Sequence, residues 1–166
     1  MASPDLCPCG SGAAYKSCCA PFHKGEREAP DAERMMRSRY AAYAKREIAY
    51  LIKTLDPAHE DRKVPEAELH GLLAAAARNQ RYMGLTILDH RGPDAAGIAE
   101  VLFLAKVFER GRDFSFVERS EFAHDGTGWR YRRGEPVPIA KIPGDLRALT
   151  LAMFTGPGRA LEWIAR

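Results

Sequence analysis

Beyond Cys19 the chain has no cysteine. That absence excludes a disulfide framework spread through the fold, and any second four-thiolate site further along. Long hydrophobic runs are missing too. Nothing approaches the ~18 consecutive apolar residues that a membrane-crossing helix needs. The start, Met1-Ala2-Ser3-Pro4-Asp5, has neither the basic region nor the apolar stretch of a secretory leader, so a cytoplasmic protein is expected. An excess of one charge is lacking: 25 Lys and Arg face 22 Asp and Glu, for a net charge of +3. That is too little to imply nucleic-acid binding on charge alone. Internal repeats and long low-complexity tracts are absent as well. What remains is 166 residues, 46% apolar and 28% charged. Such a chain fits one main domain plus a small appendage, and can build a core without disulfides.

The four cysteines lie together, as Cys7-Pro8-Cys9 and then Cys18-Cys19. Four thiolates complete the tetrahedral shell that zinc prefers, so one zinc ion on Cys7, Cys9, Cys18 and Cys19 is expected. Gly10, Ser11 and Gly12 follow the first pair; glycines there let backbone N–H groups turn toward sulfur. Four thiolates around one divalent ion leave a local negative charge, which Lys16 and Lys24 can partly offset. Two alternatives use the same residues. A pair of disulfides suits neither these tight spacings nor a chain without a leader. A Cys3His site would recruit His23; otherwise His23 is a surface residue or a partner to the ligands. A closed four-coordinate site has no open position, which makes it structural rather than catalytic.

Ala20 to Pro30 reads as a linker, with Pro21, Gly25 and Pro30 among charges. Asp31 then offers an N-cap and Glu33 a first-turn acid. Met36, Tyr40, Tyr43, Ala44, Ile48, Leu51 and Leu55 recur at helical spacing, with a break or bend at Arg46-Glu47 and a stop at Pro57. Pro65, Glu66 and Glu68 open a shorter helix that reaches about Arg78. From Tyr82 the period falls to two. Strands are predicted over 82–90, 98–109, 113–124 and 127–133, separated by Arg91-Gly92-Pro93, Gly111 and Asp125-Gly126. The tight turns imply antiparallel hairpins. Helices first and a four-stranded sheet second is an α+β order, with the helices packed on one face of a curved antiparallel sheet. Pro136, Pro138 and Pro143 predict a stiff connection. A helix over 145–154 follows, stopped by Gly156-Pro157-Gly158, and then a short amphipathic turn over 159–166.

Alternation marks one polar spot. Phe114, Phe116, Glu118, Ser120 and Phe122 share a face of the third strand. That face is mostly aromatic and is expected to point inward, which puts Glu118 and Ser120 in an apolar concavity. A carboxylate there is costly unless paired. Arg37 or Arg39 can pair with it, and Tyr40 and Tyr43 can donate hydroxyls. Trp129 and Tyr131 alternate onto one face of the last strand and complete the candidate pocket. Glu118 is then either a general base or ligand-orienting group with a raised pKa, or half of a buried bridge from sheet to helix. His59, His70, His90 and His124 lack ligand-like spacing and are expected at the surface. Arg130, Arg132, Arg133, Lys106 and Arg112 are nearly balanced by acids in the same stretch. A solvated face is expected there rather than a phosphate track, so nucleic acid is not the expected partner.

Cys7-Pro8-Cys9-Gly10-Ser11-Gly12, then Tyr15 and Cys18-Cys19, resembles the SEC-C motif, named from the C-terminal tail of the SecA translocation ATPase. The resemblance implies a zinc-dependent contact site for a protein partner or for the ribosome. Met36 to Tyr43, Tyr50-Leu51, Thr54, Pro57, Gly84-Leu85, Glu118 to Phe122 and Gly128 to Tyr131 resemble, in order, the middle domain of the YchJ family. That implies a cone similar to the nuclear transport factor 2-like fold, which ketosteroid isomerase also uses. Two departures matter. Many members carry a second SEC-C motif at the C-terminus, for which this chain has no cysteines. Asp56 stands where a histidine is expected before Pro57, so no role of that imidazole carries over.

The sequence thus implies a zinc knuckle over 1–24, an α+β cone domain over 31–134, and a partly helical C-terminal extension over 135–166. The expected role is docking of a protein or ribosomal partner by the knuckle. The alternative is a small-molecule-binding or isomerase-like protein using the cone cavity, with Glu118 as base. An arginine-paired, closed interior favours the first. A roomy cavity with unpaired Glu118 facing a tyrosine hydroxyl favours the second.

Overall fold

The computed structural model describes residues 5–153. The cysteine-bearing segment ends in a single helical turn, α1 (Ala20–His23). Asp31 accepts the Arg34 N–H at 2.8 Å and starts α2 (Ala32–Lys45), as a short acidic side chain does at an N-cap. The helix stops where Arg46 turns left-handed, φ 58°. The break expected at Arg46-Glu47 is therefore a left-handed cap, after which α3 (Ile48–Lys53) begins. Following Pro65, α4 (Glu66–Asn79) carries Glu66 and Glu68 in its first turn, where they complement the helix dipole.

The strands are β1 (Arg81–Arg91), β2 (Ile98–Glu109), β3 (Arg112–Asp113), β4 (Phe116–His124) and β5 (Trp129–Pro138). They form one antiparallel sheet in the order β1-β2-β4-β5, with β3 a short extra pair on β2. Arg110 and Gly111 both have positive φ, 51° and 77°, which suits the two-residue turn of a right-twisted hairpin.

Three elements differ from expectation. The third strand breaks at Phe114-Ser115, where the Ser115 hydroxyl takes the Val107 N–H at 3.2 Å. Phe114 is 50% exposed and does not share the inner face. The last strand, expected to end at Arg133 before a stiff connection, runs on through Pro136 and Pro138. As an edge strand it has no ladder bond to lose to a proline on its open side. The helix expected over 145–154 is instead two 3-10 turns, Leu146–Ala148 and Leu151–Met153. Phe154, Gly156-Pro157-Gly158 and the turn over 159–166 lie outside the described residues.

The sheet separates two cores. Val101, Phe103, Ala105 and Val107 meet Met35, Met36, Tyr40 and Leu51 of the helices. Leu102, Leu104 and Val117 are covered on the other side by Ile142, Leu149 and Leu151. Burial on both faces explains why β2 reads as a nearly continuous apolar run. The cover is pinned at Leu151. Its N–H donates to Asp89 at 2.8 Å and its carbonyl accepts from Arg119 at 3.1 Å, while Arg119 pairs with the buried Glu100. Nor does the segment from Ala20 to Pro30 hang free. Phe22 and Ala29 are buried, and Glu28 pairs with Arg130 at 3.2 Å. Among the described residues no helix is long and apolar enough to cross a membrane.

Candidate metal centre and cone cavity

The sulfurs of Cys7, Cys9, Cys18 and Cys19 all lie within 4.8 Å of one another, and all four residues are buried. Two edges measure 3.6 Å (Cys9 to Cys18) and 3.9 Å (Cys18 to Cys19). A tetrahedron with metal–sulfur bonds of about 2.3 Å has edges of about 3.8 Å. The donor set therefore fits one thiophilic metal ion. Local geometry follows from the sequence. Gly10 and Gly12 take left-handed φ values of 78° and 83°, and the loop is closed by the Cys7 N–H donating to the Ala13 carbonyl at 2.8 Å. Ser11 Oγ and Arg34 Nη2 approach Cys18 Sγ at 3.1 and 3.8 Å, a hydroxyl and a positive charge beside the sulfurs.

His23 is not a ligand in this arrangement. Its Nε2 donates to the Ser38 carbonyl at 2.8 Å, so its Nδ1 accepts from the Tyr15 hydroxyl at 2.6 Å. Both nitrogens are used, and burial lowers its pKa, which favours the neutral ring. The same bonds fasten the knuckle to α2. Arg37 adds another, donating from Nη1 to the Cys9 carbonyl at 2.7 Å. Gly10 lies against β1 so closely that a Cβ there would sit 2.7 Å from the Leu85 carbonyl oxygen. Arg37, expected in the pocket, thus belongs to the knuckle joint.

A cavity of about 240 Å³ lies between the helices and the inner face of the sheet. Met36, Phe103, Val107 and Phe116 give it an apolar wall, and Arg39, Tyr40, Tyr43, Glu118 and Tyr131 also line it. Ala76, Gln80 and Tyr82 on its α4 side are half-buried. Glu118 makes no ion pair among the described residues. Its Oε2 accepts from Ser120 Oγ and, at 3.0 Å, from the Tyr131 hydroxyl. Burial pushes the Glu118 carboxyl up, against those two hydrogen bonds and the more distant Arg39 charge. Burial also raises Tyr43, and it raises Tyr131 further with the help of the Glu118 charge.

Tyr131 is held by its backbone. The ladder shifts register between Glu121 and Phe122 on β4, opposite Arg133 and Tyr131. The Tyr131 peptide groups bond instead to the Thr54 carbonyl and the Asp56 N–H, both at 2.8 Å. Arg39 reaches the same place: Nη1 donates to the Leu51 carbonyl at 2.8 Å and to Thr54 Oγ1 at 2.6 Å. Its guanidinium lies over the Tyr131 ring, 4.9 Å from the centroid. Tyr40 contributes less to the cavity than to the sheet, because its hydroxyl serves the Gly84 peptide. That burial pushes its pKa up to about 12.

Of the other expected residues, Ser120 stands behind Glu118 as its donor, and Trp129 packs edge-on against His124. His59 is half-buried rather than exposed, its ring 5.3 Å from that of Tyr131. Sequence reasoning missed the apolar wall from β2, Phe103 and Val107, and the α4 side of the cavity, as well as Tyr82 and Gly134. Tyr82 precedes the register shift that sets its direction. Gly134 lies where a Cβ would stand 2.6 Å from Glu118 Oε2; it fell just beyond the strand predicted over 127–133 and carried no signal.

Family models match two stretches: the SEC-C motif over residues 4–21, and "YchJ, middle NTF2-like domain" over residues 31–134. The chain is 40% identical over 129 residues to the YchJ protein of Shigella dysenteriae serotype 1, covering 78% of this chain and 82% of that protein. A SEC-C motif containing protein from Rhodopseudomonas palustris, solved in solution, superposes with a TM-score of 0.68 at 33% identity, over 79% of this chain and 98% of that one. A crystal structure of a SEC-C motif containing protein from Psychrobacter arcticus gives a TM-score of 0.65 at 23% identity, over 76% and 79% of the two chains. The latter likeness concerns the fold alone.

Proposed function

Since the chain belongs to the YchJ family, with a SEC-C motif ahead of its NTF2-like middle domain, we propose that it is a zinc-held small-molecule-binding protein whose working site is the cone cavity. The observation that carries this reading is Glu118: a buried carboxyl without an ion pair among the described residues, faced by a tyrosine hydroxyl, in a cavity whose remaining wall is largely apolar and aromatic. A group serving only as a brace between sheet and helix would have a cation beside it. A few placed polar groups in an apolar concavity are how small ligands are held and oriented. At about 240 Å³ the occupant is fragment-sized. The metal is zinc, since four thiolates satisfy it and leave no position open for chemistry. The cytoplasm, where thiols stay reduced, is the compartment that suits them.

The test is a ligand-observed NMR screen of small aromatic and aliphatic molecules against the zinc-loaded protein and a Val107→Trp variant that fills the cavity. Hits that disappear in the variant support the reading. Hits that persist, or none at all, overturn it. Docking by the knuckle is the second reading. It is favoured by Leu6, 56% exposed beside the buried cysteines, which offers a partner an apolar contact. A pull-down comparing the native chain with a Cys18→Ser, Cys19→Ser variant tests it: partners retained by the variant would refute knuckle docking.

A further inference from the structure

Arg39 is 6% exposed and lines the cavity, yet it has no ion pair among the described residues. A guanidinium has five N–H donors and keeps its charge in proteins. Nη1 is spent on Leu51 and Thr54. Nε and Nη2 have no protein acceptor among the described residues. An uncompensated buried cation is costly, and this one cannot shed its proton to escape the cost. The acids around it do not supply a counter-charge at contact distance. Glu118 makes no ion pair among the described residues, and burial drives it, Tyr43 and Tyr131 toward their neutral forms. The cavity therefore combines a fixed positive charge, a hydrogen-bonding acid, and an apolar wall built from Met36, Phe103, Val107 and Phe116.

From this arrangement, and resting on the cavity reading above, we infer that the ligand is a small apolar monocarboxylate, its carboxylate on the free edge of Arg39 and its hydrocarbon body among Phe103, Val107 and Phe116. The two free nitrogens offer the side-by-side donors that carboxylates accept. The Tyr131 ring lies against the guanidinium, its centroid 4.9 Å away, and takes up space on that side of it. An organic cation is a poor occupant, because Arg39 already lies over the Tyr131 face. A dianion is a poor one as well, because among the lining residues only Arg39 brings a positive charge.

The experiment measures affinity for matched pairs by NMR titration: benzoate, phenylacetate and hexanoate, each against its primary amide. Charge-assisted hydrogen bonds are worth about 1.5–3 kcal/mol, so each acid is expected to bind at least ~10-fold more tightly than its amide. In the wild-type protein the Arg39 Nε–H resonance should move with acids and not with amides. In Arg39→Gln, checked for native fold by circular dichroism, the preference should vanish while weak binding of the amides persists. Equal binding of acids and amides, or a preference that survives in Arg39→Gln, overturns the carboxylate assignment and leaves the cavity reading intact. If Arg39→Gln does not fold, the acid–amide comparison and the Nε–H shift in the wild-type chain decide the matter. Failure of every acid and every amide to bind, together with an empty fragment screen, overturns both.

Discussion

Glu118 shows how far one residue can be read from the chain. Strand alternation placed it on the inner face with Ser120 and Phe122, and all three are buried there. Its partner could not be read. Arg37 and Arg39 are two positions apart on α2, so they leave the helix in widely different directions, and only tertiary packing decides which one the cavity receives. Arg37 goes to the Cys9 carbonyl and Arg39 to the end of α3, and neither pairs with Glu118. The consequence is a pH signature. The folded-state pKa of Glu118 is raised above its ordinary value, so over the window between the two the folded state holds the extra proton. Stability then falls as pH rises through that window and is flat above it. Glu118→Gln has no proton to lose. Its stability relative to the native chain should improve as pH rises from about 4.3, the ordinary Glu value, and level off above the raised pKa. Urea denaturation across a pH series measures this, and parallel profiles for the two proteins would refute it.

Elements were legible where one backbone rule governs, and illegible where a side chain replaces the backbone. The helices and β1, β2 and β4 follow from period and punctuation. The break at Ser115 does not, because a hydroxyl there does a peptide carbonyl's work. The register shift between Tyr82 and Gly84 in β1 is of the same kind. Met83 is turned out, 63% exposed, as the extra residue of a bulge is. The Gly84 peptide is met by Tyr40 of α2, whose hydroxyl accepts the N–H and donates to the carbonyl, both at 2.8 Å. One phenol thus ties helix to sheet beside the cavity. Tyr40→Phe would leave both groups unpaired, at a cost of about 1–3 kcal/mol. Chemical denaturation should show that loss, and the Gly84 amide should exchange hydrogen faster. An unchanged exchange rate would mean that the hydroxyl is not what protects it.

At the scale of the molecule, the four-cysteine segment and its motif were plain in the sequence, but its seating was not. Nothing in the spacing says that Gly10 abuts β1 or that His23 reaches Ser38. Because these contacts bear on β1 and α2, the cysteine segment supports the wall of the cavity, and a metal that holds the segment would support it too. Structural zinc contributes apparent binding energies of about 10–16 kcal/mol in isolated finger peptides, but here both sheet faces have cores that contain no cysteine. Chelation should therefore lower the melting temperature without abolishing the cooperative transition, and should expose the amides of the cysteine segment and of α2 to hydrogen exchange. Complete loss of the transition on chelation would show that the cone cannot fold without its metal.

The clamp on Leu151 has a consequence for the chain while it is being made. Asp89 and Leu151 are 62 positions apart, and every described strand precedes the segment that covers the outer face. A chain made from its N-terminus completes the sheet before its cover emerges. At ~5–20 residues per second, Leu102, Leu104 and Val117 pass on the order of a second as a bare apolar stripe beside an open edge strand. The nascent chain, rather than the finished protein, is the species that most needs shielding from its neighbours. Asp89 and Arg119 mark the moment at which that need ends.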